Sequence, residues 1–169
     1  MILKTKKLAL VTLLFISLGW VASVNANINL KPFTTGSLDQ IINARSQQPF
    51  IMVLWSIDCP PCLKELAHIQ TMQAQFSNIN IVLISTDPSE YYSSVVQALS
   101  DFHLEQVDSW IFADSLPERL RYMIDPNWYG ELPRAYFYDS AHQRRAHSGI
   151  LTKARLEQWL INNQPAQTE

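Results

Sequence analysis

Phe50 to Ile57 reads Phe-Ile-Met-Val-Leu-Trp-Ser-Ile, nearly continuous apolar sequence with no polar alternation. A strand with one face in water alternates apolar and polar side chains, so a run like this is expected only where a strand is covered on both faces, as at the centre of a sheet with helices above and below. It runs directly into Asp58, Cys59, Pro60, Pro61 and Cys62. From there Leu63, Leu66, Ile69, Met72 and Phe76 recur every three or four residues with polar residues between them, the pattern of a helix with one buried stripe. The sequence therefore predicts a buried strand that turns sharply into a helix, with a Cys-Pro-Pro-Cys segment at the turn.

Cys59 and Cys62 are the two cysteines of the chain. A disulfide that stabilises a fold gains by closing a long loop, whereas this pair closes four residues and is worth roughly 2 kcal/mol in the chain-entropy model. Stability is a poor reason for the spacing, and chemistry is a better one. A thiolate attacks disulfides and a thiol does not, so a reactive cysteine needs surroundings that favour negative charge. The first N–H groups of a helix lack intrahelical partners and the macrodipole is positive there, so Cys59 as cap is expected to direct its sulfur at the N–H of Cys62. Pro60 and Pro61 are well tolerated in the first turn. Cys59, at the exposed turn, is the expected nucleophile, and Cys62, one turn inside, the expected resolving thiol. With no other cysteine to complete a four-cysteine site, a metal centre is disfavoured and no metal ligands or cofactor are assigned.

The remaining chain reads as one domain. Ser37-Leu38-Asp39-Gln40 resembles a capping box for a short helix ending near Arg45. Ile81 to Ile84 is a second buried strand, followed by a helix from Pro88 to about Phe102 with Asp87 as its cap. Trp110 to Ala113 is a short strand and Ser115 to Ile124 a helix. Arg134 to Tyr138 and Gln143 to Ser148 form an antiparallel hairpin, and Thr152 to Asn162 a final helix burying Leu156, Trp159 and Leu160. Alternating strands and helices followed by a hairpin and a helix imply an α/β fold, a central mixed β-sheet flanked by helices on both faces.

The N-terminus differs in composition. Lys4, Lys6 and Lys7 precede an apolar run from Leu8 to about Val21, and Val24-Asn25-Ala26 offers a cleavage site. Residues 1–26 are thus expected to be a signal peptide, with an uncleaved anchor as the alternative, residues 27–163 the folded domain, and residues 164–169 a disordered tail. Export implies a periplasmic protein, in a compartment where disulfides persist. A net charge of -2 from 13 basic and 15 acidic residues, with no basic run, argues against nucleic acid. Contact with the membrane is expected only if the leader stays attached.

The segment Val53 to Glu65 is similar to the active-site strand and helix of the thioredoxin superfamily, and within it the exported TlpA/ResA-like thiol-disulfide oxidoreductases. Tyr129-Gly130-Glu131-Leu132-Pro133 resembles the segment ending in that family's cis-proline, and Gly149 to Leu160 its final turn and helix. Pro133 lies 74 positions after Cys59, which leaves room for the additional strand and helix of this branch. The resemblance implies a thioredoxin-like fold over nearly all of the mature chain. It also implies a cis Leu132-Pro133 bond packed against the cysteine pair, with the Leu132 backbone available to an extended substrate strand. Glu65 matches the glutamate this branch keeps near its cysteines, where it would take the proton of Cys62; the alternative is a solvated helix glutamate. Pro60, Pro61 and Trp55 join Leu132 as expected substrate contacts, Trp55 being equally readable as packing beneath the site. Two departures stand out. Val53 replaces the buried aspartate of thioredoxin, and Asp58, where relatives often have Trp, puts a negative charge beside Cys59 that opposes thiolate formation.

The activity implied is exchange of the Cys59–Cys62 disulfide with protein thiols and disulfides, with reduction as the direction of cytochrome-maturation relatives and a membrane-bound electron donor as the second partner. The alternative is a copper-handling or thiol-presenting chaperone on the same fold, suggested by His68 on the helix that follows the cysteines. His103, His142 and His147 show no ligand spacing and are read as surface residues, while Trp128 and Tyr129 are candidates for an apolar docking surface.

Overall fold

The structure, a computed structural model, describes residues 28–76 and 79–163; the leader at 1–26 and the tail at 164–169 expected from the sequence lie outside the described residues. Among the described residues six strands form one mixed sheet: β1 (Leu30–Phe33), β2 (Phe50–Trp55), β3 (Ile81–Pro88), β4 (Asp108–Phe112), β5 (Arg134–Tyr138) and β6 (Arg144–Ser148). Their spatial order is β1-β4-β3-β2-β5-β6. The β1/β4, β4/β3 and β3/β2 pairs are parallel, and β2/β5 and β5/β6 antiparallel. The helices are α1 (Ser37–Asn43), α2 (Pro60–Gln75), α3 (Tyr92–Asp101), α4 (Pro117–Ile124) and α5 (Lys153–Asn163).

All six residues of β2 are buried, as the unbroken apolar run requires. Because strand side chains alternate in direction, the two sets of β2 residues enter two separate cores. Ile51, Val53 and Trp55 join Ile81 and Leu83 of β3 under α2, α3 and α5, which contribute Leu66, Ile69, Val95, Leu99 and Leu156. Phe50, Met52 and Leu54 join Val82, Ile84 and Trp110 against α1 and α4 through Ile41, Leu120 and Ile124. The sheet is thus sandwiched between helices, and the C-terminal end of its central strand opens where β2 passes into α2.

Three local expectations are corrected, and one strand was not anticipated. Asp87 does not cap a helix: β3 continues through it to Pro88, a 3-10 turn spans Ser89–Tyr91, and α3 begins at Tyr92. Gly36, at φ 94°, caps α1 in place of a Ser37 capping box, and the Ser37 hydroxyl instead accepts the Thr34 N–H. Trp159 and Leu160 are only partly buried against the core, with Leu156 the buried residue of α5. Strand β1 is not legible in the sequence, because Lys31 and Pro32 interrupt its apolar pattern. Pro is tolerated at a sheet edge, and Lys31 is held by Asp108 of β4 at 2.6 Å and lies over the Trp110 ring at 4.7 Å.

The β5–β6 hairpin lacks a turn glycine. Asp139 Oδ1 accepts the N–H groups of Ala141 and Gln143, both at 2.9 Å, and His142 adopts a positive φ of 57°. An aspartate side chain thereby does the work usually left to an Asn-Gly pair.

Candidate active site

At the end of β2 the chain passes through Ser56, Ile57 and Asp58 to Cys59, the cap of α2. Cys59 is extended, with φ −111° and ψ 95°, and its Sγ accepts the Cys62 N–H at 3.3 Å. Its carbonyl takes the N–H groups of Cys62 and Leu63 at 2.9 and 3.2 Å. Pro60 and Pro61 fill the first two helical positions, where no N–H is needed, and both are exposed. Cys59 and Cys62 are joined in a disulfide with Cα atoms 5.2 Å apart. The two cysteines differ in burial: Cys59 is partly exposed, whereas Cys62 is fully buried in the α2-face core together with Trp55 and Val53. Of the two, Cys59 is the one open to solvent, and its sulfur stands at a helix N-terminus, where negative charge is favoured.

Glu65 lies three residues after Cys62 on the same buried stripe and is 0% exposed, so it is not the solvated helix glutamate of the alternative reading. Its Oε1 accepts the Leu151 N–H at 2.9 Å, and its Oε2 has no partner among the described residues. Burial pushes its carboxyl up to about 7, against the smaller opposing effect of the Leu151 hydrogen bond. A carboxyl poised there can hold or release a proton near neutral pH beside a buried thiol.

The Leu132–Pro133 peptide bond is cis. Pro133 is buried, and its carbonyl accepts the Gly149 N–H at 2.9 Å. Leu132 is half-buried and packs against both cores. The loop leading to it is held by a network centred on Asp125. Asp125 Oδ2 accepts from Tyr136 Oη at 3.0 Å and Arg134 Nη2 at 3.2 Å, and Arg144 Nη2 lies 3.5 Å from Oδ1. Arg134 Nη1 also donates to Glu131 Oε1 at 2.9 Å, and both guanidinium groups stack on the Tyr136 ring. Burial alone would raise the Asp125 carboxyl; the Asn127 N–H, Tyr136 and the two arginines outweigh it and hold it low.

Other candidates separate. Trp55 is 1% exposed, so its place is in the packing beneath the cysteines, and it has no surface for a substrate to touch. Trp128 is buried and donates its Nε1–H to the Glu131 carbonyl at 2.8 Å, while its neighbour Tyr129 is 92% exposed. His142 is half-buried, its Nε2 2.9 Å from the Arg45 carbonyl, and so is less of a surface residue than expected. Among the described residues no three His, Cys, Asp or Glu side chains gather as a metal-ligand group. Beside the cysteine turn lies a groove of about 400 Å³ between α2 and α3, with Ile57, Leu63 and Ala98 on its apolar side and Ser93, Gln97 and Asp101 on its polar side.

Sequence reasoning missed Asp87 and Asp125. For Asp87 a signal existed. Ile81, Leu83, Ser85 and Asp87 alternate along one strand face, which places the two polar residues toward the end of β2. Asp125 falls just past the helix expected to end at Ile124, and nothing local marks it as a hub.

No family model matches the chain, and no curated protein matches it. Solved structures do. A secreted disulfide oxidoreductase of Mycobacterium tuberculosis homologous to E. coli DsbE superposes with a TM-score of 0.55 at 14% identity, covering 71% of this chain and 85% of that one. DsbF of M. tuberculosis gives 0.57 at 11% identity, covering 72% and 85%. A thiol:disulfide interchange protein of the thioredoxin family from Chlorobium tepidum gives 0.55 at 14%, covering 72% and 83%. At these identities the likeness is one of fold, and the chain has the thioredoxin-like fold that its active-site segment resembles.

Proposed function

We propose that this chain is an exported thiol-disulfide oxidoreductase that exchanges its Cys59–Cys62 disulfide with protein substrates. One observation carries the reading: a partly exposed, helix-capping cysteine bonded to a second cysteine fully buried one turn deeper. In the reducing direction the Cys59 thiolate attacks one sulfur of a substrate disulfide, forming a mixed disulfide and expelling the other substrate sulfur as a thiolate. Cys62 then loses its proton to Glu65 and attacks the Cys59 sulfur, releasing the first substrate sulfur as a second thiolate. The two substrate thiolates take up two protons, and the pair of cysteines has become the disulfide. The reverse sequence oxidises a substrate dithiol. Pro60, Pro61 and the backbone at Leu132 and Pro133 form the surface on which an extended substrate segment docks.

Support for export comes from the basic and apolar leader and its Val-x-Ala site, and the reading places the domain in the periplasm, drawing electrons from a membrane-bound donor when it acts as a reductase. No helix among the described residues is long and apolar enough to cross a membrane. No specific observation favours the copper-handling alternative. The test is capture in cells. A Cys62→Ala variant is expected to accumulate covalent complexes with its substrates that dissolve on reduction, and Cys59→Ala is expected to capture none. Capture by Cys59→Ala alone would reverse the roles, and failure of both, together with no turnover of a disulfide substrate such as insulin, would remove the activity.

A further inference from the structure

Between β3 and the turn that carries Cys59 stands a buried carboxylate with no part in the exchange chemistry above. Asp87 is 6% exposed, and its two oxygens accept three hydrogen bonds. Oδ1 takes the Ser56 hydroxyl at 2.7 Å, and Oδ2 takes the Ile57 N–H at 3.1 Å and the Ser85 hydroxyl at 2.6 Å. Ser56 Oγ, having donated to Asp87, accepts the Asp58 N–H at 3.2 Å. Residues 56, 57 and 58, the three that precede Cys59, are therefore all tied to one carboxylate on the neighbouring strand, directly or through one hydroxyl. The Cys59 N–H goes to the Ser56 carbonyl at 3.3 Å, so the tether reaches the cap itself.

Hydrogen bonds to a carboxylate are roughly twice as strong as neutral ones, and a buried carboxylate must find donors or shift its protonation. Here the donors come from the β2–α2 turn and from β3, so satisfying the charge also fixes the turn against the sheet. This matters in one redox state more than the other. In the disulfide form a covalent bond holds Cys59 over the first turn of α2. Once that bond opens, the extended conformation that aims Sγ at the Cys62 N–H depends on the residues just before it.

We propose that Asp87 is a positioning residue for Cys59: it clamps the 56–58 turn to β3 so that the released thiolate stays at the N-terminus of α2. The proposal rests on the redox reading given above. It carries a sign that separates a clamp from a bystander charge. A carboxylate acting only through its charge opposes the Cys59 thiolate, so its removal would favour ionisation. A clamp does the opposite, because loosening the turn deprives the thiolate of the N–H and of the dipole.

The experiment is the pH profile of Cys59 alkylation by iodoacetamide in the reduced full chain, read by peptide mass, with the midpoint potential against glutathione measured beside it. Ser56→Ala leaves the Asp87 charge in place and cuts two of the tethers; Asp87→Asn removes the charge and keeps one acceptor oxygen. Asp58, Lys64 and Glu65 near the pair, and Asp101 across the groove, are unchanged in both variants. Ser56→Ala is expected to move the inflection to higher pH and slow alkylation at pH 7 roughly five-fold, the equivalent of losing one helix cap. Asp87→Asn is expected to shift it in the same direction, and both to shift the potential, with the oxidised forms still folded by circular dichroism. An inflection that falls in Asp87→Asn, or profiles and potentials that match the wild type in both variants, would overturn the proposal. If the reduced wild type is itself inert to alkylation at neutral pH, the redox reading fails first, whatever the variants do.

Discussion

Glu65 Oε1 accepts the backbone N–H of Leu151 at 2.9 Å across 86 positions of chain. Two residues before Leu151, the Gly149 N–H donates to the carbonyl of Pro133. A short segment ahead of α5 therefore connects the buried carboxylate next to Cys62 with the proline that follows Leu132. Glu65 is at once a titratable group one turn from Cys62 and the anchor of the segment ahead of α5.

Its titration is visible in stability. The folded chain holds the Glu65 proton up to about pH 7, whereas the ordinary value is 4.5, so the native state binds more protons than the unfolded state between those limits. Stability is then full below about 4.5 and falls as pH rises through 7, by at most roughly 3 kcal/mol. Glu65→Gln keeps an oxygen for Leu151 and removes the charge, so its urea midpoint is expected to change less between pH 4.5 and pH 8 than that of the wild type. Parallel profiles would place the ionised carboxylate in contact with water.

The difference in access between the cysteines predicts the order of modification. In the reduced protein at neutral pH, iodoacetamide is expected to label Cys59 before Cys62, as read by peptide mass. Burial of Cys62 keeps the reagent from its sulfur and disfavours its thiolate, so a rate difference on the order of ten-fold is expected. Equal labelling of both in the folded chain would mean that the first turn of α2 opens on reduction.

Asp125 serves Arg134, Arg144 and Tyr136 together, and the side chain of Arg134 is only 12% exposed. Asp125→Ala removes the acceptor shared by Tyr136, the half-buried Arg134 and the more exposed Arg144, and is expected to destabilise the fold by roughly 1–3 kcal/mol, measured by denaturant unfolding. Because the same network grips Glu131, amide exchange at residues 126–132 is expected to accelerate more than in β2. Uniform acceleration across the domain would count against a local role for the network.

Trp55 fills the core directly below the cysteines. Trp55→Ala is expected to lower stability by roughly 3–5 kcal/mol through the cavity it leaves. Trp55→Phe is expected to lose less and to retain substrate capture, since no exposed surface of Trp55 is available to a partner. Loss of capture in a stably folded Trp55→Phe would assign that ring a contact with substrate.

The strand-turn-helix from Phe50 to Gln75 was legible because each step is local: an apolar run too continuous for an exposed strand, a cysteine and two prolines suited to a helix start, then a regular stripe. The hairpin, α4 and α5 followed from the same kind of pattern. Strand β1 was not legible, because Lys31 and Pro32 read as breaks until Asp108 and a sheet edge receive them. Asp87 was misread for a related reason: aspartate followed by proline is a good helix start on local grounds, and the competing demand of Ser56, Ile57 and Ser85 comes from another strand.

Sequence by itself determined where the reactive pair falls relative to the central strand and its helix, since the periodicities and capping preferences involved act within a few residues. Only the tertiary structure decided what each buried carboxylate holds. Glu65 meets Leu151, Asp87 meets Ser56 and Asp125 meets Arg134 and Arg144 through contacts that close only when the sheet and its two helical layers come together. A buried charge takes its role from whichever donors the packing delivers to it.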